Sequence, residues 1–151
     1  MSQSLSVSAS FLNLDMELEA SFDLAPLAES LGQNVFVLYC GETEGGYRLS
    51  VEPVIGGGLN GNPAACTEYF VSLLEDLSKD QKNIWQSCSS RMFDYGFDGG
   101  FEENPLHTDI SLGHLARMAK LGIEVRITIY PFRGNEPEDV DNASTNDGRR
   151  V

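Results

Sequence analysis

A run of alternating polar and apolar residues near the start of the chain limits the possible folds more than any other feature. Residues 4–11 alternate serine with an apolar side chain, and this two-residue period is typical of a strand with one buried face. From Leu12 the apolar positions change phase and continue on the even residues as far as Phe22. A one-residue shift exchanges the two faces of a strand, so the chain must turn or bulge near Leu12 and Asn13. We predict a tight turn here, and therefore a hairpin.

The second strand of this hairpin carries carboxylates on its polar face. Asp15, Glu17 and Glu19 alternate with apolar residues, and alternate residues of a strand lie ~7 Å apart on the same side. We call these three residues the acidic ridge and expect them to face solvent.

The rest of the sequence predicts a mixture of helices and strands. The aromatic residues at positions 93, 95 and 97 share one face of a predicted strand, where we expect part of a core, with a ligand-stacking platform as the alternative. In chain order, we expect a helix at 24–31 capped by Asp23, strands at 35–40 and 47–55, and helices starting at Asn62-Pro63 and at Ser78. A strand at 91–98, a helix from Leu112 to Gly122 and a strand at 125–129 follow. The last helix has an apolar stripe at Leu112, Leu115, Ala116 and Ala119.

This order of elements favours an α+β fold, with helices packed on a mostly antiparallel sheet. The length of 151 residues and the 41% hydrophobic composition suit one domain, which we place at residues 1–132. Residues 133–151 are polar and acidic, and we predict that they form a disordered tail.

The negative charge is concentrated at the front of the chain. The formal net charge is −13, and the first 47 residues contain seven carboxylates and no Lys or Arg. Such a field repels nucleic acid and anionic membranes and attracts basic partners. The three cysteines, all expected on apolar faces of the core, form no Cys-x-x-Cys pair, and no secretion signal is evident, so we expect a cytoplasmic protein.

The glycine-rich segment 56–61 fits the G-x-G-x-x-G pattern of dinucleotide-binding turns. That site also needs an acidic residue at the end of the next strand, about 20 residues later, but two predicted helices intervene. The phosphate-loop alternative fails as well, because Asn62 and Pro63 stand where Lys and Ser or Thr are required. We interpret the segment as a flexible connection, with small-ligand binding as an alternative.

A second acidic region lies between Asp94 and His114, without any Lys or Arg in that interval. Aligned as a calcium-binding loop, it has Gly96 and Pro105 where ligands are essential. The two histidines are seven residues apart, which does not suit a zinc site on a helix. We therefore expect no metal and no cofactor here. The acidic residues of this region that could add to a partner-binding surface are Asp94, Asp98, Glu102 and Glu103.

Catalytic patterns are incomplete throughout the sequence. Asp94 and Asp98 could act as an acid and base pair, but two aspartates on one strand face are common. Neither histidine has an identifiable nucleophile, and His114 lies off the apolar stripe, where a solvent-facing position is expected. The sequence therefore favours a role other than catalysis.

Two segments of the chain carry a resemblance to known proteins. Residues 90–97 and 115–131 are similar to segments of a group of short uncharacterised bacterial proteins, some of which resemble immunity proteins encoded beside toxins. The resemblance implies a bacterial origin and assigns no functional residue.

The charge asymmetry predicts an acidic protein-interaction domain that neutralises a basic protein partner, as an immunity protein or an inhibitor does. The partner would bind the acidic ridge, together with the acidic residues of the second region. Two alternatives remain: a domain that binds a small ligand or a metal, and a mimic of nucleic acid that occupies the basic groove of a DNA- or RNA-binding protein.

Overall fold

The structure, a computed structural model, describes residues 8–100 and 105–132. A five-stranded sheet forms its centre, with strand order β2-β3-β1-β4-β5. The fold is α+β, and the sheet is mostly antiparallel, since only β4 and β5 pair in parallel. The strands are β1 (Ser10–Ala20), β2 (Val35–Thr43), β3 (Gly46–Pro53), β4 (Ser90–Asp98) and β5 (Glu124–Tyr130).

The described α-helices pack on one face of the sheet. Each contributes buried residues to a single hydrophobic core, which also contains Leu14, Met16, Leu18 and Ala20 of β1 and the aromatic row of β4. This row lies in the core, as the first of the two interpretations predicts. The helices are α1 (Ala25–Leu31), α2 (Pro63–Glu75), α3 (Lys79–Ser87) and α4 (Leu112–Leu121).

The predicted hairpin at the start of the chain is wrong. Ser10–Ala20 is one continuous strand, and its phase change is a β-bulge in the pairing with β4 between Phe11 and Asn13. A bulge exchanges the faces of a strand without reversing its direction, which explains the same sequence pattern. The earlier part of the predicted first strand, residues 4–7, lies outside the described residues, as does the predicted tail at 133–151.

Local signals place most helix ends correctly. The Asn62 side chain accepts a hydrogen bond from the Ala65 N–H, and Ser78 forms a capping box at α3. Helix α4 ends at Gly122, whose φ of 74° suits glycine. Asp23 precedes α1 by two residues, and its carboxylate accepts the Ala25 N–H at 2.9 Å.

The apolar stripe of α4 does not face the core as expected. Leu112 is 82% exposed and Leu115 is 44% exposed, whereas Met118 is buried. Helix α4 connects the parallel strands β4 and β5 and packs beside α2, so the neighbouring helix determines which side of α4 is covered. A second correction concerns Cys40, which is exposed, whereas Cys66 and Cys88 are buried as predicted.

Candidate functional site

The face of the sheet opposite the helices carries most of the charged residues of the strands. Because side chains alternate along a strand, burying Leu14, Met16 and Leu18 places the acidic ridge on this open face. The register adds acidic residues from both neighbouring strands, Asp94 on β4 and Glu52 on β3. The acidic residues that lie together around the ridge on the open face are Asp15, Glu17, Glu19, Glu52 and Asp94. Glu124 of β5 is on the same face, opposite Met92.

Asp15 lies at the centre of these carboxylates. It is paired with Asp94 across β1 and β4, and Glu52 lies next to it on β3, because Met16 is paired with Val51. Burial, followed by repulsion from Glu52, Asp94 and Glu17, raises the pKa of Asp15 from 3.8 to about 7. Its Oδ1 atom is buried and accepts no hydrogen bond from any described residue. Near neutral pH, the Asp15 carboxyl group is therefore protonated in about half of the molecules.

Arg126 of β5 neutralises part of the open face. Its Nη1 atom donates to Glu17 Oε1 and to Asp94 Oδ2, at 3.0 Å each. The hydroxyl of Thr128 donates to Asp94 Oδ1 at 2.7 Å. Both carboxylates hold the pKa of Arg126 above its ordinary value, with Glu17 contributing most. Glu17 and Asp94 thus have partners within the sheet, while Asp15 lacks one among the described residues.

Gly96 leaves room on this face for the side chain of Asn13. A Cβ atom at position 96 would lie 2.9 Å from Asn13 Oδ1. The amide nitrogen of Asn13 donates to Glu52 Oε2 at 2.8 Å, which fixes Glu52 beside Asp15. The gap that Gly96 makes in the polar face is thus occupied by a residue that orients the acidic cluster.

The structure brings together only part of the predicted partner-binding set. Asp15, Glu17 and Asp94 form one cluster, and Glu19 is exposed at the end of the ridge, opposite Arg48. Asp98 lies at the end of β4, beside a separate apolar cavity. Glu102 and Glu103 lie outside the described residues.

Sequence reasoning missed Glu52 and Arg126. Both alternate with apolar residues in strands that were predicted correctly, so their faces could have been assigned. Their position next to the acidic ridge depends on strand order, which is a property of the whole fold. We call Asp15, Glu17, Glu52, Asp94 and Arg126 the open-face cluster.

The second acidic region is not one site. Asp94 belongs to the open-face cluster, but His114 projects from α4 towards α2, where its Nε2 atom lies 3.0 Å from Glu68 Oε1. Arg117 also binds Glu68, and its hydrogen bond is the main cause that lowers the pKa of Glu68 to about 2. The expectation of a solvent-facing His114 is wrong, since this side chain is 15% exposed. This group of charged residues joins two helices.

The glycine-rich segment borders a cavity of about 260 Å³ that also contains Glu52 and Asn13. A carboxylate in the wall repels phosphate, which argues against a nucleotide here. Among residues 8–100 and 105–132, no three His, Cys, Asp or Glu side chains are arranged to hold a metal ion.

Comparisons with known proteins give no assignment. The chain matches no protein-family model, and neither a curated protein nor a solved structure shows significant similarity to it. Within the described segments, no helix is long and apolar enough to cross a membrane.

Proposed function

We propose that this protein is an acidic protein-interaction domain whose open sheet face binds a basic protein partner. Asp15 carries the proposal. Its buried oxygen accepts no hydrogen bond from a described residue, and burial, followed by repulsion from the neighbouring carboxylates, raises the pKa of Asp15 to about 7. A positive charge supplied by another molecule at this face would relieve the repulsion among the carboxylates.

A cationic side chain is the donor that this environment favours. A Lys or Arg of the partner placed against the Asp15 carboxyl group from the open face would interact with Glu52 and Asp94 as well, since both lie beside Asp15. Its positive charge would lower the pKa of Asp15, so that molecules with a protonated Asp15 would release that proton. Binding near pH 7 is therefore linked to proton release.

The shape of the surface favours a protein over a small molecule. The open-face cluster extends over four adjacent strands, from Glu52 on β3 to Arg126 on β5. Strands lie ~4.8 Å apart, so the cluster spans roughly 15 Å of an open face, a width that fits within a standard interface between proteins. Neutralising a basic partner in this way is what an inhibitor or immunity protein does. Three cysteines without a disulfide suit a cytoplasmic location for that role.

Calorimetry with a lysine-rich peptide tests the role of Asp15. Titrations near pH 7 in two buffers with different ionisation enthalpies should show release of about half a proton for the wild type, because a group with a pKa of about 7 is half protonated there. Asp15→Asn should release none. Glu29→Gln removes the same charge from an exposed position on α1 and should keep the proton release. Equal proton release by the wild type and Asp15→Asn would refute the proposal.

Mapping by NMR locates the surface. Titration with the same peptide should shift backbone amides of β1, β3 and β4 next to the open-face cluster, more strongly at low salt. Shifts concentrated at Glu68 and Glu75, on the helical side, would instead assign binding to the other charged group.

Natural partners captured at low salt can then be tested for competition by DNA or RNA, which separates a nucleic-acid mimic from other inhibitors.

A further inference from the structure

Helix α4 presents its apolar stripe to the outside of the molecule. Arg117 bonds to Glu68 and Glu75 of α2, so this side of α4 faces its neighbouring helix. Leu115 and Ala119 are two residues before and after Arg117, which places them ~160° around the helix from it. The stripe therefore points away from α2, towards the side of the sheet that ends at β5.

Like helix α4, strand β5 has exposed apolar side chains, and they lie on the helical side of the sheet. Val125, Ile127 and Ile129 are 42%, 53% and 66% exposed, although their register partners on β4 are buried in the core. Ile127 and Ile129 also border an apolar cavity of about 300 Å³ with Leu106. β5 is the last strand of the sheet, and no described strand pairs with its outer edge.

The exposed area is large for the surface of a monomer. Single chains rarely expose apolar patches of more than a few hundred Å². From their exposed fractions, the large side chains of this region offer roughly 600 Å², about three quarters of the ~800 Å² per partner of a standard interface. They are Leu106, Leu112, Leu115, Val125, Ile127 and Ile129.

The backbone groups of β5 alternate between the sheet and the free edge. The carbonyl of Tyr130 accepts the Gly99 N–H at 2.8 Å, so the even-numbered residues of β5 bond towards β4. The N–H and C=O groups of the odd residues, Val125, Ile127 and Ile129, consequently point outwards. These are the same residues whose side chains form the apolar face.

We propose that β5 pairs with β5 of a second copy of this chain, antiparallel and around a two-fold axis at Ile127. In this register Ile127 lies opposite Ile127 of the other copy, and Val125 lies opposite Ile129. All three residues with outward backbone groups then form hydrogen-bonded pairs, which gives six backbone hydrogen bonds across the seam. The interface is isologous and closes at two copies.

Charge selects this register from the neighbouring ones. With the axis at Ile127, Arg126 lies opposite Thr128 and Glu124 lies opposite Tyr130, so no like charges meet. Moving the axis to Arg126 would place two guanidinium groups directly opposite each other, which is unfavourable. Moving it to Val125 would leave Ile129 outside the pairing. Only the axis at Ile127 pairs all seven residues of β5 without repulsion.

The helical layer fits the same symmetry. A continuous ten-stranded sheet places α4 of both copies on one side of the seam, and each apolar stripe points towards the axis. Ala116 and Ala119 are small, which permits close approach of the two helices. The other sheet edge is less suited to such pairing, because β2 contains a bulge between Val37 and Tyr39 that interrupts its regular geometry.

Sedimentation of the whole chain tests the dimer. The wild type should have twice the chain mass of 16.5 kDa at micromolar concentration. Ile127→Lys places two ammonium groups at the axis and should weaken association at least 100-fold, to a monomer. Phe36→Lys changes an exposed apolar residue of β2 and should leave the dimer intact. A wild type that stays monomeric up to 100 µM overturns the proposal, as does dissociation by Phe36→Lys alone.

Disulfide trapping tests the register and does not depend on how lysine variants fold. In a Cys40→Ser background, Ile127→Cys should form a covalent dimer under mild oxidation, because Cα atoms of a hydrogen-bonded pair lie ~5.5 Å apart. Ile129→Cys is the matched control: the two copies of position 129 are four residues apart along the seam, at ~13 Å. Cross-linking of both variants, or of neither, overturns the register.

Discussion

Asp15 and Asp94 lie directly opposite each other on antiparallel strands, with both carboxyl groups on the open face of the sheet. Like charges in this position are unfavourable, and here a third carboxylate, Glu52, flanks the pair. Arg126 and Thr128 compensate Asp94 but do not reach Asp15. The folded state therefore contains a carboxyl group whose charge opposes folding, at the centre of the proposed binding surface.

Asp15→Asn should stabilise the protein at high pH. The carboxyl group has a pKa of 3.8 when unfolded and about 7 when folded, so below pH 3.8 it is protonated in both states. As pH rises from 3.8 to 7 only the unfolded state loses the proton, and stability falls. The full shift corresponds to ~4 kcal/mol, which partial exposure reduces to about 1–2 kcal/mol. Urea unfolding at pH 8 measures this gain.

The same series at low pH provides the internal control. At pH 4 the gain from Asp15→Asn should disappear, because the wild-type carboxyl is then mostly neutral in the folded state. A gain that is constant between pH 4 and pH 8 would show that Asn packs better than Asp and that charge is not the cause.

Arg126→Gln should raise the pKa of Asp15 above its wild-type value. The change leaves Glu17 and Asp94 without their shared cation, so the negative potential at Asp15 increases. Carboxyl chemical shifts followed by NMR against pH report this change directly. The loss of stability should be small, about 0.5–1 kcal/mol, because the Arg126 side chain is 45% exposed.

Arg48→Gln is the matched control for that experiment. Arg48 is on the same face, but its guanidinium lies 4.8 Å from the ring of Tyr39, on the side of β1 away from Asp94. If both variants change the titration of Asp15 equally, the effect arises from net charge and not from the contacts of Arg126.

Element types could be read from the sequence because their signals are local. The caps at Asn62 and Ser78 and the stop at Gly122 each depend on a few neighbouring residues. The phase change at Leu12 was visible too, but a turn and a bulge exchange strand faces in the same way. Only pairing with β4, about 80 residues later in the chain, distinguishes them.

The candidate site depends on long-range order, which local patterns do not contain. The acidic ridge follows from alternation, but Glu52 and Arg126 join it through the strand order β3-β1-β4-β5. The outward stripe of α4 has a similar origin: hydrophobic periodicity identifies an apolar side, and the partners of the helix decide whether that side is covered. Leu112 and Leu115 belong to that apolar side and are exposed in the folded chain.

Arg91→Met should destabilise the fold by about 2 kcal/mol. The guanidinium donates to the carbonyl groups of Trp85 at 3.1 Å, Cys88 at 2.9 Å and Gly122 at 3.1 Å, and so ties the ends of α3 and α4 to β4. Charged donors to such carbonyls contribute about 1.5–3 kcal/mol. Chemical denaturation followed by Trp85 fluorescence gives the value.

Arg91→Lys should recover less than half of that loss, because an ammonium group lacks the planar fork that reaches several carbonyls together. Full recovery by Lys would indicate that charge alone matters at this position. A loss below 0.5 kcal/mol for Arg91→Met, the usual limit for surface substitutions, would show that water replaces the guanidinium at these carbonyls.

Thr67 and Tyr95 should show strong coupling in a double-mutant cycle. Their hydroxyl oxygens lie 2.7 Å apart in the core, and Thr67 Oγ1 donates to the Pro63 carbonyl, so the Tyr95 hydroxyl must donate to Thr67. Tyr95→Phe removes the donor and leaves Thr67 bonded, at a cost of about 1 kcal/mol. Thr67→Val leaves the Tyr95 hydroxyl buried without a partner and should cost about 2 kcal/mol.

The double variant should lose less stability than the sum of the two single variants, because no hydroxyl without a partner remains. Strictly additive losses in urea unfolding would mean that water reaches Tyr95, and would contradict a sealed core between α2 and β4.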